Sequence, residues 1–277
     1  MTLAPSAQPL AGIQIAKSHH VLTIKIDRPE RRNAVTLAHL DLIAATCEEA
    51  ERDDDVRAVV LAGNAQSFCA GVDLGSVDLE SGGGLVQQPR ITRNWFLPLL
   101  ELTKPLIGSI GGIAAGGGLG LALCCDIRVA SPNARFATAF SRIGLTATDA
   151  VAWLLPRTVG LSKSLEMIYL GDPIDATEAL RIGLVDYVVP ADALDERVRE
   201  IATRCAAGPP VAIRMSKVLV RDGLERPFRE HMLAQEYASL ANRTVASHDL
   251  VEGGTAFKEK RPPRFRGLLS KRSSQDD

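Results

Sequence analysis

Residues 104–126 read KPLIGSIGGIAAGGGLGLALCCD, and their pattern indicates the class of fold. Leu106–Ile110 is an apolar run of strand length. The turn Gly116-Gly117-Gly118 follows, and Leu119–Cys125 has the continuous apolar character of a buried helix. A buried strand that leads through a glycine turn into a buried helix is typical of a mostly parallel sheet covered by helices.

The segments on either side repeat this alternation of strands and helices. A helix is predicted to begin after Thr36, a suitable N-cap, because apolar residues recur at helical spacing from Leu37 to Cys47. The predicted strands are Ile13–Ala16, Val21–Ile26, Val56–Leu61, Leu106–Ile110 and Asp126–Ala130. The fold class expected from this pattern is α/β.

From Asp149 onward the pattern is chiefly helical. Asp175 with Glu178 three residues later fits a capping box at a helix start. The break Gly208-Pro209-Pro210 separates two amphipathic helices. The predicted regions are an α/β core over 1–205, a helical C-terminal region over 206–267 and a disordered tail over 268–277.

Composition excludes several classes of function. The 277 residues include 32 Lys and Arg against 33 Asp and Glu, so no overall field attracts nucleic acid or an anionic membrane. No apolar run approaches the roughly 20 residues that span a bilayer, and the first ten residues lack the pattern of a secretory signal. The five cysteines are odd in number and form no metal-binding motif, which favours reduced, buried thiols. We expect a cytoplasmic protein without nucleic-acid or membrane partners.

The glycines match no nucleotide-binding motif. The dinucleotide fingerprint beginning at Gly116 needs a glycine or alanine where Leu121 stands, and a phosphate-binding loop needs a lysine where Gly118 stands. Ile107 occupies the first glycine position of a nucleophile elbow, and no HExxH occurs. The sequence therefore predicts no resident cofactor and no metal.

Two loops can instead present backbone N–H groups to a ligand. A helix that starts near Gly117 has free N–H groups with no side chain in the way. The small residues Cys69-Ala70-Gly71 follow an earlier strand, and they also let a ligand approach the backbone. Such loops can direct one N–H group each at a single carbonyl oxygen. The alternative is that these glycines only serve tight turns and close packing.

Seven short motifs resemble those of the crotonase superfamily, the enoyl-CoA hydratase/isomerase family. They occur in the family's order and cover about residues 12–266. The motifs are Arg28-Pro29-Glu30-Arg31-Arg32-Asn33-Ala34, Phe68-Cys69-Ala70-Gly71-Val72-Asp73-Leu74, Lys104-Pro105-Leu106-Ile107, Gly116-Gly117-Gly118 with Cys125-Asp126, Ile143-Gly144-Leu145, Gly183-Leu184-Val185, and Phe257-Lys258-Glu259-Lys260-Arg261.

The resemblance implies a spiral of ββα turns, a helical C-terminal region that trimerises, and an acyl-CoA ligand. It implies that the N–H groups of Val72 and Gly117 hold the thioester oxygen and stabilise an enolate. CoA is then part of the substrate, no separate cofactor is needed, and the chain forms a homotrimer or a dimer of trimers. The other residues that it places against the substrate are Arg31, Arg32, Ala70, Gly71, Asp73, Leu74, Gly116, Phe140, Leu145, Phe257 and Lys260. Within this set, Phe257 and Lys260 are expected to contact the adenine and 3′-phosphate bound to a neighbouring subunit.

The sequence departs from the family's hydratase pattern at two positions. That pattern has two glutamates where this chain has Gly120 and Phe140, neither of which can transfer a proton. Isomerase-like members carry a single carboxylate near Thr148 or Asp149. Two interpretations of Asp149 remain open: it caps the following helix, or it carries protons from an apolar pocket that raises its pKa.

These observations favour an acyl-CoA-processing enzyme of this family, in fatty-acid or related acyl-CoA metabolism. Because one proton carrier suits double-bond isomerisation better than hydration, an isomerase-type activity is predicted, with Val72, Gly117 and Asp149 as catalytic residues. The alternative is a binding protein that keeps the acyl-CoA site and has lost catalysis. Gly120 and Phe140 favour the alternative, whereas Asp149 favours the enzyme.

Overall fold

The computed structural model of the chain describes residues 10–76 and 94–267. Its strands are β1 (Ile13–Ser18), β2 (Val21–Ile26), β3 (Ala58–Ala62), β4 (Ser67–Cys69), β5 (Leu106–Ile110), β6 (Ile113–Ala115), β7 (Ile127–Ala130), β8 (Arg135–Ala137), β9 (Ile174–Asp175) and β10 (Tyr187–Val188). A six-stranded sheet has the order β1-β2-β3-β5-β7-β10, and a four-stranded sheet has the order β4-β6-β8-β9. Neighbouring strands are parallel except for the pairs β1–β2 and β8–β9.

The helices are α1 (Leu37–Arg52), α2 (Leu97–Glu101), α3 (Gly117–Cys124), α4 (Val151–Val159), α5 (Leu161–Leu170), α6 (Ala176–Arg181), α7 (Leu194–Ala207), α8 (Pro210–Asp222), α9 (Phe228–Val245) and α10 (Ser247–Glu259). The strand pairs β3–β4, β5–β6 and β7–β8 each give one strand to each sheet, and a helix follows each pair. This arrangement is the expected spiral of ββα turns, so the predicted fold class is confirmed. The C-terminal region is helical as predicted, and its trimerisation stays a prediction.

Both faces of the larger sheet are buried. Ile24, Leu61 and Leu106 belong to the main core, whereas Val60 and Ile107 pack with residues of α7 on the opposite face. Burial on two faces explains why the central strands are continuous apolar runs and do not alternate. No helix within residues 10–76 and 94–267 is both long and apolar enough to cross a bilayer.

Several element boundaries differ from the predicted ones by one or two residues. Strand β3 begins at Ala58, two residues after the predicted start at Val56. Helix α3 begins at Gly117, where free N–H groups were expected, two residues before the apolar run that starts at Leu119. The expected capping box at α6 is only half formed. Asp175 accepts a hydrogen bond from Glu178 N at 2.8 Å, but the Glu178 side chain binds Arg181 instead. The predicted boundary between 205 and 206 stays a prediction, and the tail 268–277 lies outside the described residues.

Asn33 ties the end of β2 to β4. Its side chain is fully buried, and its amide donates hydrogen bonds to Ile26 O at 3.0 Å and to Ser67 O at 2.7 Å. Its carbonyl oxygen accepts a hydrogen bond from Arg28 N at 2.8 Å. The backbone φ of Asn33 is +57°, a left-handed conformation that asparagine tolerates better than most residues. One side chain therefore fixes the strand that leads into the first glycine-containing loop.

We expect Asn33→Ala to lower the free energy of unfolding by about 3 kcal/mol or more, because two buried carbonyl oxygens lose their donors. Urea unfolding followed by circular dichroism measures this loss. Asn133→Ala is the matched control, because Asn133 is exposed and its loss should change stability by less than about 0.5 kcal/mol. Equal stability of the two variants would show that Asn33 does not hold the strands together.

Candidate active site

The loop after β4 touches the start of α3, backbone against backbone. A Cβ atom added to Gly71 would lie 2.9 Å from Ala115 O and 3.5 Å from Gly117 N. A Cβ atom added to Gly118 would lie 2.0 Å from Cys69 O, closer than real Cβ atoms come. Gly116 has φ +53° and ψ −122°, a conformation that suits glycine. Glycine is therefore required here so that the two backbone segments can pack closely. Close packing was the alternative that the sequence analysis gave for these glycines.

Backbone pairing and the helix start determine the surroundings of one N–H group in each loop. Val35 N donates to Gly71 O at 2.8 Å, and Asp73 N donates to Val35 O at 2.9 Å. Val72 lies between Gly71 and Asp73, which both bond to Val35. In such an extended pairing the N–H group of Val72 points away from Val35. Gly117 is the first residue of α3, and its N–H has no acceptor one turn earlier within the helix. This arrangement allows Val72 and Gly117 to bind one oxygen, and that role stays a prediction.

Asp149 lies beside the first turn of α3. A Cβ atom added to Gly117 would lie 2.9 Å from Asp149 Oδ2 and 3.7 Å from Val72 Cγ2. The three residues predicted as catalytic thus surround one point, and glycine at position 117 keeps that point open. The start of a helix also favours a nearby negative charge, because its backbone dipoles are positive there.

The turn that carries Asp149 has an unusual backbone. Asp149 and Ala150 have φ +55° and +64°, and non-glycine residues in this region cost of order 1–3 kcal/mol each. Helix α4 begins at Val151 with Ala150 at its N-cap and no side-chain cap. The structure therefore does not place Asp149 at the N-cap of α4, and the two left-handed residues set its carboxylate beside α3.

The family resemblance places Gly120 and Phe140 where the hydratase pattern has glutamates, and that alignment stays a prediction. A Cβ atom added to Gly120 would lie 2.0 Å from Asp149 O and 3.1 Å from Phe96 Cε1. The space that a glutamate would need is thus filled by the backbone of Asp149. Phe140 is 5% exposed and belongs to the core. Neither position offers a proton carrier.

The remaining residues of the first loop are held by Arg28. Its guanidinium donates to Ala34 O at 2.5 Å and to Asp73 Oδ2 at 3.3 Å. Ser76 Oγ donates to Asp73 O at 2.6 Å, so Asp73 is bonded through both its side chain and its backbone. Leu74, which follows, is 37% exposed. These contacts agree with a loop-fixing role for Asp73.

Cys69 supplies no nucleophile to this site. Burial raises the pKa of its thiol to about 12, so the sulfur stays protonated at neutral pH. Within residues 10–76 and 94–267, no three His, Cys, Asp or Glu side chains gather as metal ligands.

The residues predicted to bind CoA lie in two separate segments. Arg31 and Arg32 are exposed, and Arg32 O accepts a hydrogen bond from Ala70 N at 3.1 Å, which places them beside the first loop. Phe257 is 87% exposed near the end of α10, and Lys260 is the C-cap of that helix. Their contact with a neighbouring subunit's ligand stays a prediction.

Leu145, another residue predicted to contact the substrate, is 41% exposed. Its N–H donates to Phe140 O at 3.0 Å, so these two predicted substrate-contacting residues are bonded to each other. Their contact with the substrate stays a prediction.

Sequence reasoning missed Phe96 and the role of Asn33. Phe96 lies in a stretch that has no pattern of its own, and it approaches Gly120 only through the tertiary fold. Asn33 belongs to the motif of residues 28–34. The sequence feature that could have indicated its role is a polar residue between two arginines and an apolar run.

Comparison with known proteins gives a consistent result. A model of the enoyl-CoA hydratase/isomerase family matches residues 16–268. A relative from Rhodobacter capsulatus, named a probable enoyl-CoA hydratase, is 34% identical, and the match covers 90% of this chain and 96% of the relative. The 1,2-epoxyphenylacetyl-CoA isomerase of Escherichia coli is 32% identical, and the match covers 89% of this chain and 95% of the relative. A solved structure of Pseudomonas aeruginosa DspI superposes with a TM-score of 0.87 at 32% identity, and the match covers 95% of this chain and 100% of that one.

The ββα spiral and the glycine-lined meeting of two loops define a crotonase-fold protein. Given a family match over most of its length, the chain belongs to the enoyl-CoA hydratase/isomerase family of acyl-CoA enzymes. The resemblance drawn from the seven motifs is therefore confirmed.

Gly120→Ala should lower the free energy of unfolding by about 1–3 kcal/mol, because the new methyl group must displace the turn at Asp149. Gly254→Ala is the control: Gly254 lies in α10 with open space around its Cα, so alanine should stabilise the helix by up to about 1 kcal/mol. Denaturant unfolding of both variants measures the difference. Opposite signs are expected, and two stabilising substitutions would contradict the packing described for Asp149.

Proposed function

We propose that this chain is an isomerase-type enzyme that transfers protons on an acyl-CoA thioester. In this proposal the N–H groups of Val72 and Gly117 hold the thioester oxygen, and Asp149 is the single acid and base. The observation that supports it most is the position of the Asp149 carboxylate 2.9 Å from the open Cβ position of Gly117. The relative named an isomerase is consistent with this choice.

The chemistry needs one proton carrier. Asp149 would take a proton from Cα of a 3-enoyl thioester, and the electron pair would move into the thioester to give a dienolate. The two N–H groups would stabilise its oxygen, each contributing roughly 3 kcal/mol to the lowering of the barrier. Asp149 would then return the proton to Cγ, which moves the double bond into conjugation.

Hydration requires more than this site supplies. Water must lose a proton as it attacks Cβ, and a proton must reach Cα, so hydratases commonly need two positioned groups. The turn at Asp149 fills the space beside Gly120, and Phe140 is apolar and buried. These features support isomerisation over hydration.

The assembly that we propose is a homotrimer or a dimer of trimers. Large apolar side chains on α8 and α9 are exposed in the single chain, which supports an interface between copies. They include Val220 (71%), Phe228 (77%), Leu233 (61%) and Tyr237 (72%). A cytoplasmic location is also proposed, because the five cysteines are free.

The alternative function is a non-catalytic acyl-CoA-binding protein. The absence of a carboxylate at Gly120 and Phe140 favours it, since the oxyanion loops alone suffice for binding. Proton exchange separates this alternative from the enzyme.

We expect the wild type to exchange the α- or γ-protons of acyl-CoA or 3-enoyl-CoA with deuterated water. Asp149→Asn should slow this exchange by about 100-fold or more while binding stays nearly unchanged, because the amide keeps the shape and cannot accept the proton. Mass spectrometry of the recovered thioester measures exchange. Asp192→Asn, at an exposed aspartate, is the control that should leave the rate unchanged.

Three results would contradict parts of this proposal. If the wild type shows no exchange across a panel of chain lengths, the binding-protein alternative is correct. If exchange survives in Asp149→Asn, the base is another residue. If crotonyl-CoA is hydrated at about 10 per second, a rate typical of enzymes, the argument from the two missing glutamates is wrong.

Calorimetry should show that a CoA thioester binds more tightly than its free acid.

Lys260→Ala should weaken binding of CoA more than binding of dephospho-CoA, because the ammonium group is proposed to contact the 3′-phosphate. The neighbouring Lys258→Ala, also exposed, is the control for a general loss of positive charge. Equal losses in the two variants would remove Lys260 from the site.

A further inference from the structure

Asp126, just beyond the end of α3, connects that segment to β5 and to α8. Its Oδ2 accepts hydrogen bonds from Leu106 N at 2.8 Å and from Lys217 Nζ at 2.6 Å. Its Oδ1 accepts a hydrogen bond from Arg221 Nη2 at 2.7 Å. Lys217 and Arg221 lie one turn apart on α8. The pair therefore attaches a C-terminal helix to the core at this carboxylate.

The same two cations also bind backbone carbonyl groups around α3. Arg221 Nη2 lies 3.5 Å from Cys124 O, in the last turn of α3, and Arg221 Nη1 donates to Leu100 O in α2. Lys217 Nζ donates to Lys104 O at 2.7 Å. The carbonyl groups in the last turn of a helix receive no hydrogen bond from an N–H group of the same helix. A cation there also interacts favourably with the negative end of the helix dipole.

Helix α3 links this cluster to the candidate active site. It begins at Gly117, the predicted donor to the thioester oxygen, and ends at Cys124. Its eight residues are all buried, and a helix of this length spans about 12 Å. Because close-packed interiors transmit small shifts, a displacement of the last turn moves the first N–H group.

We propose that Arg221 and Lys217 are positioning residues that set the direction of the Gly117 N–H group by holding the far end of α3. This inference rests on the proposed function, because it requires that N–H group to bind the thioester oxygen. Neither residue is proposed to touch the substrate. Burial lowers the pKa of Lys217, and the nearby carboxylate of Asp126 acts in the opposite direction.

The chain provides a matched control on the same helix. Arg214, also on α8, donates to Thr103 Oγ1 at 2.7 Å and binds Glu51. The Arg214–Glu51 and Arg221–Asp126 pairs have similar exposure, 29% and 29% against 32% and 24%. Both arginines attach α8 to the core, but Thr103 and Glu51, which Arg214 binds, lie outside α3. A purely structural role would make the two substitutions equivalent.

The experiment compares Arg221→Gln with Arg214→Gln in the full-length protein. The probe is the tightest-binding of butyryl-, octanoyl- and phenylacetyl-CoA, labelled with ¹³C at the thioester carbonyl. Difference infrared spectroscopy of the bound probe reports how strongly the two N–H groups polarise that carbonyl. Deuterium exchange gives the turnover number and KM, and thermal unfolding gives the stability of each variant.

Arg221→Gln should remove at least half of the infrared shift and lower the turnover number about tenfold or more, with KM changed less than threefold. Arg214→Gln should lose similar stability yet keep both the shift and the turnover number. If Arg221→Gln does not fold, Arg221→Lys keeps a cation near Asp126 with fewer donors, and it should show the same loss in smaller measure.

The outcomes separate this inference from the proposed function. If the infrared shift seen with the wild type is unchanged in the Arg221 variants, the positioning role alone is overturned. An equal loss of that shift in Arg221→Gln and Arg214→Gln overturns it as well. A wild type with no shift overturns both the oxyanion site and the positioning role. A wild type that shows the shift but no proton exchange overturns the isomerase proposal, and loss of the shift in Arg221→Gln then still supports the positioning role.

Discussion

The candidate site depends on one place where two backbone segments touch with no side chain between them. Cys69 O fills the position of a Cβ atom at Gly118, and Ala115 O lies 2.9 Å from that of Gly71. Any larger residue at these glycines would separate the loop after β4 from the start of α3. Because peptide groups alone meet here, N–H groups from two distant segments can face one ligand atom. Each glycine loses more conformational entropy on folding than another residue would, but only glycine lets the two backbones come this close.

Each side of this contact is held from behind by a polar side chain. Asn33 fixes the strand before the first loop through hydrogen bonds to Ile26 and Ser67. Asp126 joins the far end of α3 to β5 and to α8. Well-satisfied polar networks of this kind favour one arrangement of a core over its alternatives. Polar side chains distant from the two loops thus hold the segments that carry the Val72 and Gly117 N–H groups.

Much of the fold could be predicted from local sequence, whereas the filled space at the site could not. Apolar runs located the central strands to within two residues, and the three consecutive glycines predicted the start of α3 at Gly117. The contact between Gly120 and Asp149 O joins residues 29 positions apart, and the bond between Arg221 and Asp126 joins residues 95 positions apart. Periodicity and turn chemistry determine local conformation, but such contacts depend on the path of whole loops. A quoted motif such as Cys125-Asp126 marks a position without revealing its partners.

The occupied space beside Gly120 restricts the order in which mutations could place a glutamate at that position. A glutamate at position 120 would collide with the carbonyl group of Asp149, so the turn at residues 149–150 has to retreat first. That retreat would also move the carboxylate of Asp149 away from α3 before the new glutamate arrives. With Asp149 in its proposed role, an evolutionary path made of single substitutions therefore passes through a protein that has lost its proposed proton carrier. An insertion or deletion in the turn, together with the new side chain, is the more direct route, and a designer seeking hydration should begin with loop length.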